Sequence, residues 1–226
     1  MLLSVLRDAS MSGGEKILYI LIMVFCVFLS LSVHEMSHGL AANLMGDKTA
    51  KNMGRLSLNP LHHIDPFGAL CLFLFGFGWA KPVPVNPWNF YNKKGGMALT
   101  AFAGPLSNLI VGFVAYLGAF LIKDVKISDI SLLNNIAMVS FIICRYLTLM
   151  NIGLAVFNLI PFPPLDGSKI VGAILPQRLY FRYMELERYG FIILIILLNV
   201  PFFESILSRC QFAILNFYDL IISLFV

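Results

Sequence analysis

Apolar blocks long enough to cross a lipid bilayer dominate this sequence and limit what it can fold into. They cover residues 17 to 33, 97 to 122, 130 to 160, 189 to 207 and 210 to 226. Each approaches the roughly 20 residues that a membrane-spanning helix requires. Because 59% of the chain is hydrophobic and only 12% is charged, it cannot cover itself with polar residues as a soluble domain does. The sequence predicts an all-α polytopic membrane protein with about five to six membrane helices.

The region between the first two blocks differs from them in composition, because it contains Asn59-Pro60, Asp65-Pro66 and the proline-rich residues 81 to 87. These prolines exclude a continuous helix. If residues 66 to 80 enter the membrane and return, the basic residues of the flanking loops share one side, which the positive-inside bias makes cytoplasmic. A full crossing removes that bias, so we expect a re-entrant segment. The basic residues are Lys48, Lys51, Arg55, Lys81, Lys93 and Lys94.

The net charge of +4 comes from short loops beside apolar blocks and does not indicate a nucleic-acid partner. No linker, long charge run or repeat divides the chain, so residues 1 to 226 read as one membrane domain. The first block is longer than the core of a signal peptide and lacks a small-residue cleavage site, so we interpret it as a retained helix.

The strongest chemical motif is His34-Glu35-Met36-Ser37-His38, which follows directly on the first apolar block. On a helix, histidines in an H-E-x-x-H pattern share a face and can both bind one zinc ion, with the glutamate beside them as a general base. The alternative is that these polar residues only solvate the end of an apolar helix. Ionisable groups at membrane depth are costly, which favours a functional role.

A catalytic zinc ion usually takes three protein ligands, so a third must come from elsewhere. The best candidate is Asp166, because the preceding prolines break the chain after the 130 to 160 block and let an aspartate project at the start of the next helix. Asp166 could instead serve only as a helix N-cap. Under the re-entrant topology, Asp166 and the two histidines lie in the same cytoplasmic half of the bilayer, whereas a full crossing separates them.

Three motifs together resemble the site-2 protease family of intramembrane zinc metalloproteases. They are residues 34 to 38, the Gly104-Pro-Leu-Ser-Asn108 stretch, and residues 158 to 167, which resemble the family pattern N-x-x-P-x-P-x-L-D-G. The motifs occur in the family's order. The chain is similar to the compact form of the family, without PDZ or CBS domains.

The resemblance implies that Asp166 is the third ligand of a single zinc ion and that the substrates are transmembrane segments of other proteins. It also implies that residues 67 to 86 form a re-entrant, strand-like element that pairs with extended substrate. We expect a multi-pass protein of a prokaryotic cell membrane, with its active site toward the cytoplasm. The sequence leaves the oligomeric state open.

Several other polar residues lie in or beside the apolar blocks. Asn108 and Asn158 are candidates to hydrogen-bond a substrate carbonyl or the developing oxyanion, and Asn151 is more typical of a bond between helices. Arg145 lies near the middle of its block and needs a partner or a water-filled cavity. His62 and His63 are expected to order the turn-rich loop and not to bind metal.

The predicted reaction is peptide-bond hydrolysis, with zinc bound by His34, His38 and Asp166 and with Glu35 as the base. A membrane metal-ion transporter could use the same ligands without hydrolysis. A non-catalytic scaffold for membrane helices is a further alternative, although it has no use for a complete set of ligands and base.

Overall fold

A computed structural model describes residues 5–6, 8, 10–75, 79–123 and 131–225. Helices dominate these residues, and an isolated bridge between Ile64 and Ala80 is their sole β pairing, which confirms the all-α prediction. From Gly13 onward we number the helices α1 (Gly13–Leu44), α2 (Thr49–Asn52), α3 (Pro66–Phe75), α4 (Lys93–Ile122), α5 (Ser131–Asn158), α6 (Asp166–Ile174), α7 (Gln177–Met184), α8 (Glu187–Leu198) and α9 (Pro201–Ser223).

Three helices of the described residues, α1, α4 and α5, are each long and apolar enough to cross a membrane. Helices α8 and α9 pass the same test only together, and they are bent by 86° at the break between them. The described residues therefore contain three candidate spans, or four if the bent pair is one span. That is fewer than the five to six membrane helices predicted.

The predicted division of the last two blocks at residues 207 to 210 is wrong. Helix α9 runs without interruption from Pro201 to Ser223, and the chain instead bends at Asn199 and Val200. Proline lacks the N–H that a helix interior needs but fits the first turn of a new helix, so Pro201 starts α9. The apolar character continues across this break, which is why the apolar pattern alone did not locate it.

Helix α1 is longer at both ends than the apolar block that predicted it. It begins with a capping box, in which the Ser12 hydroxyl accepts a hydrogen bond from the Glu15 amide and the Glu15 carboxylate accepts one from the Ser12 amide. It then continues through the H-E-x-x-H motif to Leu44. Both histidines and the glutamate therefore lie on one uninterrupted helix.

The segment predicted to be strand-like is helical over Pro66–Phe75, so that prediction is wrong for these residues. Asp65 accepts a hydrogen bond from the Gly68 amide at 2.8 Å, and Pro66 occupies the first helical position. An aspartate cap followed by proline is a favoured way to start a helix. Residues 76–78 of the predicted segment lie outside the described residues.

The two ends of this segment meet. Ile64 and Ala80 form the antiparallel bridge, and the Lys81 amide donates a hydrogen bond to the His63 carbonyl at 2.8 Å. The Arg55 guanidinium donates to the Lys81 carbonyl, also at 2.8 Å. The chain thus leaves and re-enters the rest of the protein at the same place.

The proline-rich chain that follows is fixed to the C-terminal end of α1. Asp47, which is fully buried just after α1, accepts hydrogen bonds from the Asn86 amide at 2.6 Å and from the Asn89 side chain at 2.8 Å. Helices α1, α4 and α5 pack against one another, and α6 packs against α4. The H-E-x-x-H motif, the proline-rich chain and the start of α6 are thereby brought together.

Candidate metal centre and catalytic site

Two histidines of α1 and the first residue of α6 form a tight cluster. The Nε2 atoms of His34 and His38 lie 3.0 Å apart, and they lie 3.2 Å and 3.0 Å from Oδ2 of Asp166. All three residues are buried, with exposed fractions of 5%, 8% and 6%. Among the described residues, this is the one group of three or more histidine, cysteine, aspartate or glutamate side chains close enough to share a metal ion.

The chain after α5 is built to carry Asp166 into the cluster. Helix α5 ends at Asn158, and the chain turns through its prolines until Leu165, whose extended backbone immediately precedes α6. Gly167 packs so closely on the Leu159 and Ile160 carbonyls that any side chain there would collide with them. Asp166 therefore takes its position from a tightly packed turn.

A glycine of α4 makes room for the two imidazoles. A Cβ atom at Gly104 would lie 2.5 Å from Nε2 of His38 and 2.7 Å from Cε1 of His34, which is closer than real Cβ atoms approach other atoms. The backbone of α4 thus forms one wall of the cluster. This contact gives a physical reason for the glycine that begins the Gly104 to Asn108 motif.

Each imidazole is held through its other nitrogen atom. Nδ1 of His34 is hydrogen-bonded to the side-chain oxygen of Asn108, and Nδ1 of His38 to the Thr100 carbonyl at 2.6 Å. Both partners are oxygen acceptors, so each Nδ1 carries the proton and each Nε2 presents its lone pair to the cluster. This tautomer is the one that a metal ion needs.

Asn108 faces His34 and is not among the residues that line the cavity beside the cluster. Its amide nitrogen donates to the side-chain oxygen of Asn151 at 2.7 Å, and Asn151 in turn donates to the Ser30 hydroxyl at 2.8 Å. Both asparagines are fully buried. Asn151 thus bonds between helices, and Asn108 links this chain of hydrogen bonds to His34.

Glu35 lies at the same cavity as the cluster. Its carboxylate accepts a hydrogen bond from the Val83 amide at 2.9 Å. The chain just before Val83 is fixed by the contacts of Lys81 with His63 and Arg55. The proline-rich chain therefore orients the glutamate, a contact that sequence reasoning missed because a backbone amide leaves no signature in the sequence.

The cavity has a volume of about 580 Å³ and is lined largely by apolar side chains. Asn158 lines it, with its side-chain nitrogen donating to the Leu154 carbonyl of its own helix at 3.0 Å. Lys169 also lines it and lies 3.3 Å from Oδ1 of Asp166, a contact that the sequence did not indicate. The candidate metal ligands, the glutamate and the candidate substrate contacts thus share one pocket.

The histidines of the loop lie outside the cluster. His63 is fully buried and bonds through Nε2 to the Ser57 carbonyl at 2.7 Å. Burial lowers the pKa of His63, and the charge of Arg55 lowers it further. His62 ends the short 3₁₀ helix Pro60–His62. Both histidines therefore belong to the loop, as the sequence predicted.

The donor set fits a zinc ion. Two imidazole nitrogens and one carboxylate oxygen are the ligands that catalytic zinc prefers. Their separations of 3.0 to 3.2 Å are close to the roughly 3.3 Å edge of a tetrahedron whose bonds are about 2.0 Å long. With three protein donors, one position is left for water or substrate.

A buried set of two histidines and one aspartate, beside a glutamate and among apolar helices, defines the class of membrane-embedded metallopeptidases. The sequence model of peptidase family M50 matches residues 120–198. "Putative zinc metalloprotease YwhC" of Bacillus subtilis (strain 168) is 37% identical over 182 residues, which cover 79% of this chain and 80% of that protein.

A further relative is "Putative zinc metalloprotease Rip2" of Mycolicibacterium smegmatis (strain ATCC 700084 / mc(2)155). It is 27% identical over 193 residues, which cover 79% of this chain and 68% of that protein. No solved structure matches the chain significantly. The chain belongs to peptidase family M50, which confirms its resemblance to the site-2 proteases.

Proposed function

We propose that this protein is an intramembrane zinc metalloprotease that hydrolyses peptide bonds within or near transmembrane segments of other proteins. One observation carries the proposal: Asp166 meets His34 across a sequence separation of 132 residues, at a site that also contains Glu35. Membership of a peptidase family and two relatives named as zinc metalloproteases support it. One zinc ion per chain would be held by His34, His38 and Asp166.

The residues divide the chemistry between them. A zinc ion bound by these residues would polarise the scissile carbonyl and acidify water. Glu35 takes a proton from the attacking water and returns it to the leaving amine. The Val83 amide keeps the Glu35 carboxylate at the cavity, and Asn158 donates to or accepts from the substrate backbone there.

The substrate must reach the site in an extended form, because the carbonyls of a helix are already hydrogen-bonded within it. Ala80, Pro82, Val83 and Val85 line the cavity and belong to no helix, whereas α3 is helical and offers no pairing edge. Residues 80 to 85 are therefore our candidate for the edge on which an opened substrate is held. All parts of the site belong to one domain, residues 1 to 226.

The topology that we propose places this site toward the cytoplasm. The meeting of Ile64 and Ala80 supports a re-entrant course for residues 66 to 80, since a full crossing would separate them by about 30 Å of hydrocarbon. With this course the six basic loop residues stay on one side. The relatives are bacterial, in keeping with a prokaryotic cell membrane.

Replacing the base tests the reaction. In Glu35→Gln, the side chain keeps its size but cannot accept the proton, so cleavage of a membrane-spanning peptide should fall by at least about a hundredfold while zinc binding persists. We would compare purified wild type, Glu35→Gln and the surface control Glu185→Gln, with and without a zinc chelator. Undiminished cleavage by Glu35→Gln would remove the mechanism, and zinc uptake into vesicles without cleavage would support a transporter.

A further inference from the structure

A lysine of α6 lies beside the metal cluster without belonging to it. Lys169 follows Asp166 by three positions, so the two side chains are neighbours on one face of the helix. The Lys169 ammonium lies 3.3 Å from Oδ1 of Asp166 and donates a hydrogen bond to it. Among the described residues that line the cavity, Lys169 is the only lysine or arginine. This ammonium therefore contacts a candidate metal ligand directly.

The two oxygens of the Asp166 carboxylate have different partners. Oδ2 lies 3.2 Å from Nε2 of His34 and 3.0 Å from Nε2 of His38, whereas Oδ1 faces the Lys169 ammonium. A carboxylate without such a partner can rotate and offer a metal ion either oxygen. A hydrogen bond to one oxygen restricts that rotation, and carboxylates that bind metals are commonly held in this way.

Each member of the cluster has one partner outside it. Asn108 holds His34, and the Thr100 carbonyl holds His38. Among the described residues, Lys169 is the only group outside the cluster that is hydrogen-bonded to the Asp166 carboxylate. Lys169 thus takes the place for Asp166 that Asn108 and Thr100 take for the two histidines.

We propose that Lys169 is a positioning residue for the metal site, which holds Oδ1 of Asp166 so that Oδ2 stays directed at the two imidazoles. This inference rests on the proposed zinc ligands. The alternative is an ordinary ion pair on a helix surface, which contributes little to stability and would leave metal binding unchanged. Because the Lys169 side chain is 43% exposed, its replacement should leave the fold intact.

Zinc affinity can be measured by competition with a chelator on the purified full-length protein. Lys169→Met keeps the length of the side chain but removes its charge and its donor, so the affinity should fall by about tenfold. Lys169→Arg keeps both and should retain most of the affinity. Lys94→Met is the matched control, because Lys94 donates a hydrogen bond to the Leu175 carbonyl just after α6, at 3.0 Å, and does not contact the cluster.

A spectroscopic measurement separates positioning from a general effect on α6. The visible absorption of the cobalt-loaded protein reports how the ligands are arranged, so it should change in Lys169→Met and stay as in wild type in Lys94→Met. Thermal unfolding of the metal-free proteins checks that each variant is folded, and Lys169→Gln repeats the test if Lys169→Met is not.

The outcomes distinguish this inference from the proposed function. Wild-type zinc affinity and an unchanged cobalt spectrum in Lys169→Met would overturn the role of Lys169 and leave the proposed protease standing. Equal weakening in Lys94→Met and Lys169→Met would also overturn that role, since the effect would then come from α6 as a whole. A wild-type protein that binds no zinc would overturn the proposed function itself, and with it this inference.

Discussion

The two ends of the α4–α5 helix pair treat polar groups in opposite ways. At the metal end, the histidines and asparagines are buried and find their hydrogen-bond partners within the protein. At the other end, Arg145, Lys123 and Asp219 are exposed in an open cleft. A closed polar site that the fold supports with its own hydrogen bonds needs only a small ion to complete it. The open cleft instead leaves its charged side chains exposed to their surroundings.

The largest expected effect is the loss of a ligand at the closed end. In Asp166→Ala, two imidazoles remain without the carboxylate, and two ligands hold zinc poorly. Zinc measured by elemental analysis should fall from about one ion per chain to a small fraction, and proteolysis should fall to background. Full zinc content in this variant would show that Asp166 is not a ligand.

The next largest effect tests how closely α4 packs against the two imidazoles, and it compares alanine variants of two glycines on that helix. In Gly104→Ala the added methyl group would lie 2.5 Å from Nε2 of His38, so zinc binding should be strongly impaired. Gly112→Ala is the matched control on the same helix, because its methyl group would meet its nearest neighbours at 3.4 to 3.5 Å. Thermal unfolding would separate loss of the site from loss of the fold. Similar zinc affinity in the two variants would contradict the proposed geometry.

A smaller effect should distinguish how the two histidines are held. Asn108→Ala removes the side chain that orients His34 and should weaken zinc binding by about 10- to 100-fold. Thr100→Val leaves the carbonyl that orients His38 in place, and it removes a buried hydroxyl that has no hydrogen-bond partner. Competition with a chelator measures both affinities. Equal weakening in the two variants would remove the distinction between side-chain and backbone support.

The sequence predicted the residues of the cluster because each stands in a recognisable local pattern. Helical periodicity places His34 and His38 on one face. The prolines before Asp166 indicate a break in the helix, after which Asp166 can project from the start of the next helix. The structure brings these residues together, and their binding of zinc stays a prediction. The all-α class and the family were also predictable, because long apolar blocks and three ordered motifs can be recognised without tertiary information, whereas the number of membrane helices was not.

The supporting contacts could not be predicted in the same way. The Thr100 carbonyl and the Val83 amide are backbone groups that any residue provides. The contact of Asn108 with His34 depends on how α4 packs against α1, which a single sequence does not encode locally. The start of α9 is different, since the proline at position 201 was a visible signal that the continuous apolar run obscured.

The helix at Pro66–Phe75 shows how a family expectation can override a local signal. The resemblance implied a strand-like element. Asp65 and Pro66 nevertheless start a helix, and an aspartate followed by proline is a helix-start signal that can be recognised in the sequence. The expectation of a re-entrant course is separate from this error. It concerns the side of the membrane on which the segment's ends lie. The contact of Ile64 with Ala80 supports it, and it stays a prediction.

Anomalous X-ray scattering at the zinc edge, from crystals of the purified, zinc-loaded protein, would test the metal site most directly. We expect one peak within about 2.0 to 2.2 Å of Nε2 of His34, Nε2 of His38 and a carboxylate oxygen of Asp166. A zinc ion bound elsewhere in the chain, with these three side chains making no contact to it, would contradict the central claim.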